Sequence, residues 1–483
     1  MKILFVFRNS EWLGVEYLSS VLKQGGHETD LVYYPGVGDI EFKVAALEKM
    51  IEEKIVANML NKSKRFAPDI IAFSVLSNLY PWVSRMAKVF KNVFKIPIIA
   101  GGIHPTIFPE TVISNPYIDI ICRGEGEEGF LELADAMKKG KDYFDIRNLW
   151  FKHKNKIVRN EMRPLLQNLD SLPFPDKDLF YQYRCFSFRA YVMASRGCPY
   201  DCSYCSNHAI RKMYHNKGAY LRRRSVNNVI QELKTYLGRY KIKEIFFYDD
   251  IFTLNIEWLK QFCLQYRKEI KLPFKCMIRA NFISKETADI LKEAGCIYVD
   301  MGLESGSERI RNDIMKRNMS DEQILNAGKA LHSASLKFNT LNIFGSPTEL
   351  IEDMKKTVSI NRQLKPSHSL ANVLYPLPGT EILKILEKNN CIDENVIAQI
   401  EREEGSYRGK FILNHPLKTE VLKYQTFLPI VVKLPKNVEN LILSLPPWKI
   451  FRFISIFFST NPRNLYIRLK EQIESIYYAL FKQ

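Results

Sequence analysis

No stretch of this 483-residue chain is apolar for the ~20 residues that a bilayer-crossing helix needs. Its strongest apolar run, Pro446 to Phe458, is far shorter and carries Lys449 and Arg452 within it. The first residues, MKILFVFRNSEW, hold only five consecutive apolar residues and no small-residue cleavage site, so they predict a first strand and not a secretory signal. Cysteine is scarce: nine in a chain of this length is too sparse for a disulfide-stapled secreted scaffold. A cytoplasmic, reducing location is therefore expected. Long blocks of one charge are absent too. The net charge of +17 is spread over the chain with only short clusters such as Arg222-Arg223-Arg224. Solvated surface is the default reading of those basic residues, and no nucleic-acid partner is expected.

What is present is a concentrated cysteine motif. Ser195-Arg196-Gly197-Cys198-Pro199-Tyr200-Asp201-Cys202-Ser203-Tyr204-Cys205 places three thiols within eight residues, around a Gly-Cys-Pro turn that lets the backbone wrap a small inorganic group. The run lacks a fourth cysteine. A cubane held by three thiolates keeps one iron open for a second molecule, which is a catalytic arrangement. The alternative is a closed zinc site with His208 as fourth ligand, and the spacing alone leaves it open.

Ahead of that motif, apolar strands alternate with helical stretches: Lys2–Phe7, Val15–Lys23, Glu28–Tyr34, Lys43–Lys64, Asp69–Ser74, Trp82–Phe94, Ile96–Gly102 and Asp119–Cys122. Continuous apolar strands between helices predict a parallel, doubly wound sheet that binds ligands at the carboxyl ends of its strands. Ser74-Val75-Leu76 and Gly101-Gly102 fall at two such ends, where missing side chains let a bulky ligand lie on the backbone. An ordinary flavodoxin-like domain with glycine turns is the plainer reading. Residues 148–180, with a hairpin near Trp150 to Val158 and then Leu172-Pro173-Phe174-Pro175, read as a linker.

After Ala190 the alternation resumes. Six strands are expected, ending near Ala194, Tyr248, Ile278, Gly302, Phe344 and Tyr375, with a helix between each pair. A partial (β/α) barrel closes them economically, with polar strand-end residues as its site. Asp249 and Asp250 also suit helix caps, so each strand-end motif is weak by itself.

Taken together, the cysteine triplet with Tyr204 before its last cysteine resembles the radical S-adenosylmethionine superfamily. The series Tyr-Asp-Asp-x-Phe, Gly-Leu-Glu-Ser-Gly and Phe-Gly-x-Pro-x-Glu follows in the order of that barrel. The S-x-L and G-G elements resemble the cobalamin-binding domain family, and Gly101-Gly102-Ile103-His104 and Arg123-Gly124-Glu125-Gly126 look like loops of radical enzymes carrying that domain. The resemblance spans about residues 1 to 385. It implies a 4Fe-4S cluster on Cys198, Cys202 and Cys205, and S-adenosylmethionine held by Tyr204, Asp249, Asp250, Arg279, Glu304, Ser305 and Gly345. It implies cobalamin against Ser74, Leu76, Gly101, Gly102, His104, Gly124 and Glu125. One departure stands out. The D-x-H-x-x-G element that supplies an axial histidine to cobalt is replaced by Asn9-Ser10-Glu11-Trp12-Leu13-Gly14.

The expected architecture is thus α/β. A doubly wound, Rossmann- or flavodoxin-like cobalamin domain spans 1–145, a linker 146–185, a partial (β/α)6 radical barrel 186–388, and a mostly helical region 389–483. The resemblance implies a cobalamin-dependent methyltransferase acting on an unactivated carbon through a 5'-deoxyadenosyl radical and methylcobalamin. Cyclisation, ring rearrangement or sulfur insertion with the same cofactors, and a sensor without turnover, are the alternatives. A small-molecule, lipid or peptide substrate and a flavodoxin- or ferredoxin-type electron donor follow from the resemblance. The tail carries no motif: Pro446 to Phe458, apolar, aromatic and basic, reads either as a helix capping the barrel or as a segment in peripheral contact with anionic lipid.

Overall fold

Strand β1 (Lys2–Arg8) has five consecutive apolar residues, and all five are buried, because helices cover both faces of its sheet. A computed structural model describes residues 1–35, 45–186, 188–377, 379–401, 410–447, 451, 455 and 462–482. Most of the 446–458 segment, and with it the choice between barrel cap and lipid contact, lies outside the described residues. Among them, no helix is long and apolar enough to cross a membrane.

The chain forms two units. The first comprises 1–188, 212–219 and 466–483. Its sheet joins β1 to β2 (Glu28–Tyr34), β3 (Ile70–Ser74), β4 (Ile98–Gly101), β5 (Ile120–Cys122) and the hairpin β6 (Leu149–His153) with β7 (Lys156–Arg159) in the order 2-1-3-4-5-6-7. Strands 2-1-3-4-5 are parallel and β6 and β7 are antiparallel. That is the doubly wound order expected from the alternation, with the predicted hairpin added at its edge. Its core gathers Leu4, Val6, Ile71, Phe73, Trp82, Phe90 and Ile98.

The expected linker is instead built into this unit. Ser20 Oγ donates to the Phe174 carbonyl at 2.5 Å, and the Asp176 amide donates to the Glu16 carbonyl at 3.1 Å. Lys177, fully buried, is paired with Glu11 and with Glu16, the latter at 2.7 Å. Paired prolines keep this segment extended, as predicted, but side chains on either side of them fasten it along the helix Leu13–Gln24.

The second unit comprises 189–211 and 220–465. Six parallel strands, β8 (Arg189–Val192), β11 (Glu244–Phe247), β12 (Phe274–Ile278), β13 (Cys296–Glu304), β14 (Lys337–Phe344) and β15 (His368–Val373), form an open sheet in that order. A short antiparallel ribbon pairs β9 (Ser195–Arg196) with β10 (Arg222–Arg223). Ser225, Asn255, Ser284 and Ser320 each cap the helix that follows by accepting a backbone N–H, so the sequence itself sets where four helices begin. The helix Lys418–Val431 packs on β15 and β14, shielding the sheet edge that β15 would leave open. Residues 389–465 are therefore part of this unit.

The basic cluster is not solvated. Arg222 and Arg224 are buried; Arg224 pairs with Glu232 and donates to Asn228 Oδ1 at 2.7 Å, and Arg223 lies 4.6 Å from the ring centre of Trp258. These arginines lace loop to helix, leaving them no role as a charged patch.

Candidate functional site

In the second unit the site is built around the cysteine loop. Gly197 has φ +91°, and a Cβ there would overlap the Tyr220 carbonyl, so glycine is required for the turn into Cys198. The Cys205 amide donates to the Cys202 carbonyl at 3.1 Å and folds the loop back on itself. Burial pushes the Cys198 thiol up to about 11 and the Cys205 thiol up to about 12, and each also feels Asp250 and its neighbouring thiols. Three thiols gathered in one loop are a donor set for metal coordination, which would hold them as thiolates against that burial.

Among the described residues no group of three or more His, Cys, Asp or Glu side chains converges on a single ion. His208 Nδ1 is paired with Asp201, and its Nε2 is buried without a hydrogen-bond partner. A cubane spreads its three cysteines over three irons, so they need to neighbour one another without converging on a point. The three thiols fit a cluster.

Beside the loop lies a buried charge network that the sequence reading only half named. Arg317 donates to Tyr204 Oη at 2.6 Å and to the Gly302 carbonyl at 2.7 Å, and stands 3.2 Å from Glu304 Oε1. Burial opposes its charge, yet Tyr204 and Glu304 hold it cationic. Burial also raises the carboxyl of Glu304, and Arg317 opposes that. Glu304 itself sits at φ +62°, where the pairing of β13 with β14 slips. A Cβ at Gly302 would press on the ends of both the Glu304 and Arg317 side chains and would displace this pair. Arg279 stacks 3.6 Å from the ring centre of Tyr200 and donates to the Arg317 carbonyl; its Nε donates to Asn281 Oδ1 at 2.8 Å.

The expected residues thus divide. Cys198, Cys202, Cys205, Tyr204, Asp250, Arg279 and Glu304 are brought together. Asp249 is fully buried and accepts from the Ala194 amide at 3.0 Å and from Ser195, tying the end of β11 to β8 and β9. Asp250, exposed, accepts from Asn207 at 2.9 Å. Ser305 is turned inward, accepting from the Ser307 amide at 3.2 Å. Gly345, at φ +88°, donates to Glu349 at 2.6 Å, and a Cβ on it would meet the Phe411 ring. Arg317, Tyr200 and Asn281 were not anticipated. Arg317 follows a π-turn at Ile310–Ile314 and ends no strand, so its only sequence signal was a basic pair, Lys316-Arg317.

In the first unit, the loops after β3, β4 and β5 are stitched into one edge. The Val75 amide donates to the Gly101 carbonyl at 2.8 Å, the His104 amide to the Val75 carbonyl at 3.1 Å, and the Gly124 amide to Thr106 Oγ1 at 2.8 Å. Ser74 ends β3 half-buried and Leu76 follows it. Gly102 has φ +105°, and a Cβ there would press on Val75 at 3.0 Å. Gly124 has φ +72°, and a Cβ would overlap the Tyr214 hydroxyl, which accepts from the Glu125 amide at 3.0 Å. At each glycine the protein itself stands where the Cβ would be: Cys122 at Gly101, Val75 at Gly102 and Tyr214 at Gly124. The glycines let these loops pack closely into one edge at the carboxyl ends of the strands, where a doubly wound sheet takes its ligand. The ring of His104 is packed between Tyr80, centre to centre 4.5 Å, and Phe108 at 5.5 Å; its Nδ1 is 3.2 Å from Ser77 Oγ. Burial lowers its pKa to about 4, so it is a neutral packing and hydrogen-bonding residue.

The first loop explains the missing axial histidine. Glu11 stands where the histidine of D-x-H-x-x-G would fall, and it is buried in an ion pair with Lys177. Trp12 stacks on Phe7 with ring centres 5.7 Å apart. This loop is committed to the protein interior and offers no imidazole to a metal.

Comparison with known proteins agrees with both halves. Residues 192–359 match the Radical SAM superfamily and residues 8–134 the B12 binding domain. The chain is 31% identical over 399 residues to an uncharacterized methyltransferase of Pyrococcus horikoshii, covering 81% of this chain and 84% of that one. It is 25% identical to the cytidylyl-2-hydroxyethylphosphonate methyltransferase of Streptomyces wedmorensis, covering 84% and 82%. Among solved structures, the cobalamin-dependent S-adenosylmethionine radical enzyme OxsB shares the fold over 99% of this chain and 72% of its own, with TM-score 0.67 at 16% identity. The cofactors are a 4Fe-4S cluster, S-adenosylmethionine and cobalamin. This chain belongs to the radical S-adenosylmethionine superfamily, among the enzymes that carry a B12-binding domain ahead of the radical domain.

Proposed function

We propose that this enzyme is a methyltransferase acting on an unactivated carbon. The observation that carries the reading is the presence, in one chain, of a three-thiol loop and a close-packed edge at the carboxyl ends of a doubly wound sheet. The two relatives named above as methyltransferases support it. When bound, the cluster and S-adenosylmethionine supply radical chemistry and cobalamin carries the methyl group.

The residues have distinct tasks in this reading. Cys198, Cys202 and Cys205 hold the cluster. Arg317 and Arg279, both cationic and buried, would meet the carboxylate of S-adenosylmethionine, and Asp250 its ammonium. Glu304, in its left-handed turn, would accept from ribose hydroxyls. Ser74, Leu76, Gly101, Gly102 and Gly124 form the sheet edge that would take cobalamin. His104 and Glu125 hold those loops. No side chain is required as a general base. The electron donor is taken to be a small flavodoxin- or ferredoxin-type carrier, which a chain of net charge +17 would attract if the carrier is acidic.

Protein purified without oxygen should contain about four iron atoms and one cobalt per chain. With a reductant it should form 5'-deoxyadenosine and a methylated product, consuming about two S-adenosylmethionine molecules per turnover. Cleavage without methyl transfer would move the reading to cyclisation, rearrangement or sulfur insertion. Absence of cleavage in iron-loaded protein would overturn an enzyme reading altogether.

A further inference from the structure

The helix Pro462–Phe481 has two faces that its surroundings treat differently. Its inner face is closed. Ala479 is fully buried, Ser475 nearly so, and Ile476 and Leu480 pack against a core that includes Ile55 and Met59 of the helix Ala45–Phe66. Asn58 of that helix donates to the carbonyls of Ala479 at 3.0 Å and Leu480 at 2.8 Å, satisfying acceptors that a helix leaves open in its last turn. The Phe188 amide donates to Glu471 at 3.2 Å. These bonds fix the rotation of the helix about its axis.

The outer face is thereby committed to the outside. Tyr466 is 66% exposed, Leu469 48%, Ile473 65%, Tyr477 49% and Phe481 60%. Their spacing of three, four, four and four residues puts them in one line about 22 Å long. Exposed apolar residues are ordinary singly, whereas a contiguous line of five marks an interaction surface.

Charge decides what kind of surface it meets. Two copies of this chain, each at +17, repel one another, while an anionic surface attracts either. By sequence the helix and the residue after it carry Arg463, Arg468, Lys470 and Lys482 against Glu471 and Glu474. Lys470 and Lys482 are exposed, and Lys54 Nζ lies 4.8 Å from the ring centre of Phe481. Residues 446–458, just upstream, add five aromatic rings with Lys449 and Arg452 and no acidic residue. Aromatic rings mixed with ammonium and guanidinium groups suit the boundary between lipid headgroups and acyl chains.

We propose that the outer face of Pro462–Phe481 docks this protein on an anionic lipid bilayer, the helix lying in the plane of the surface with Tyr466, Leu469, Ile473, Tyr477 and Phe481 in the headgroup boundary. The surface shares no residue with either cofactor site and does not depend on the reaction proposed above.

The test is flotation of the full-length protein with vesicles of phosphatidylcholine, with and without phosphatidylglycerol. The wild type should bind vesicles containing phosphatidylglycerol at least about tenfold more tightly than phosphatidylcholine alone, and high salt should remove the difference. The double variant Ile473→Asp, Tyr477→Asp changes two exposed residues. It should lose that binding by at least about tenfold while keeping the iron content and melting temperature of the wild type. Wild-type protein that ignores the anionic vesicles, or a double variant that binds them equally, overturns the proposal. A wild-type dimer that the double variant converts to a monomer in light scattering would instead assign the stripe to a second copy and also overturn it.

Discussion

Arg317 reaches across 2.6 Å to the phenol oxygen of Tyr204, so a loop that ends no strand is fastened to the loop that holds the three thiols. Arg317→Ala should leave iron content near the wild-type level and lower the rate of S-adenosylmethionine cleavage by at least about a hundredfold, since charge-assisted contacts made by a buried arginine are worth roughly 1.5–3 kcal/mol each. Tyr204→Phe removes a single hydroxyl and should cost less than about tenfold. Wild-type cleavage kinetics in Arg317→Ala would remove it from the binding site.

The buried set of Lys177, Glu11 and Glu16 makes a second prediction. Burial raises the Glu16 carboxyl well above its ordinary value, Lys177 opposes that, and Glu11 raises it further. Lys177→Ala should destabilise the first unit by about 3–5 kcal/mol, because it leaves the Glu11 charge buried and unpaired. Glu16→Gln, which keeps the shape and an accepting oxygen while Glu11 remains to pair Lys177, should cost less than that. Urea midpoints of the two variants, compared with wild type, would check the ordering.

Glu349 should impose a pH slope on the second unit. It accepts from the Gly345 and Ser346 amides at 2.6 and 3.1 Å, yet burial raises its pKa from 4.5 to about 8. Below 4.5 both folded and unfolded chains hold the proton and the group is silent. Between 4.5 and 8 the unfolded chain loses it first, so the folded state binds more protons and stability falls as pH rises. Above 8 the loss is complete. Glu349→Gln should flatten that part of the stability profile, measured by thermal unfolding across the range, and an unchanged slope would contradict the assignment.

Gly124 and Tyr214 should be energetically coupled. Gly124→Ala forces a side chain at φ +72° and against the Tyr214 hydroxyl, so it should lower the melting temperature and the amount of cobalamin retained on purification. In a Tyr214→Ala background the same change should cost less, by about 1 kcal/mol or more. Additive effects would mean the two do not share one space.

Much of this was legible in the sequence because it is local. Apolar runs of strand length between amphipathic stretches gave both parallel sheets, and Cys198, Arg279 and Glu304 announced themselves at or near strand ends. What escaped depends on residues far apart in the chain. Nothing near Lys177 says that its partners are Glu11 and Glu16, and nothing near Asn58 says that it caps carbonyls at 479 and 480. The arginines at 222–224 looked like solvated charge because periodicity cannot report a buried partner such as Glu232. Arg317 was silent for the same reason: its meaning lies in Tyr204, 113 residues earlier.

The composition of the first unit from 1–188, 212–219 and 466–483 has a consequence for how the protein is made. A ribosome releases the nucleotide-fold sheet early, but the Tyr214 that backs the Gly124 turn comes later, and the helix that closes the core over Ile55 and Met59 comes last of all. The domain that emerges first is thus the last to be complete. A fragment cut at residue 188 would lack both pieces, and a nascent chain would expose the apolar flank of Ala45–Phe66 until synthesis reaches residue 481. Stable capture of the corrinoid then waits until residue 481 has been made and has folded back.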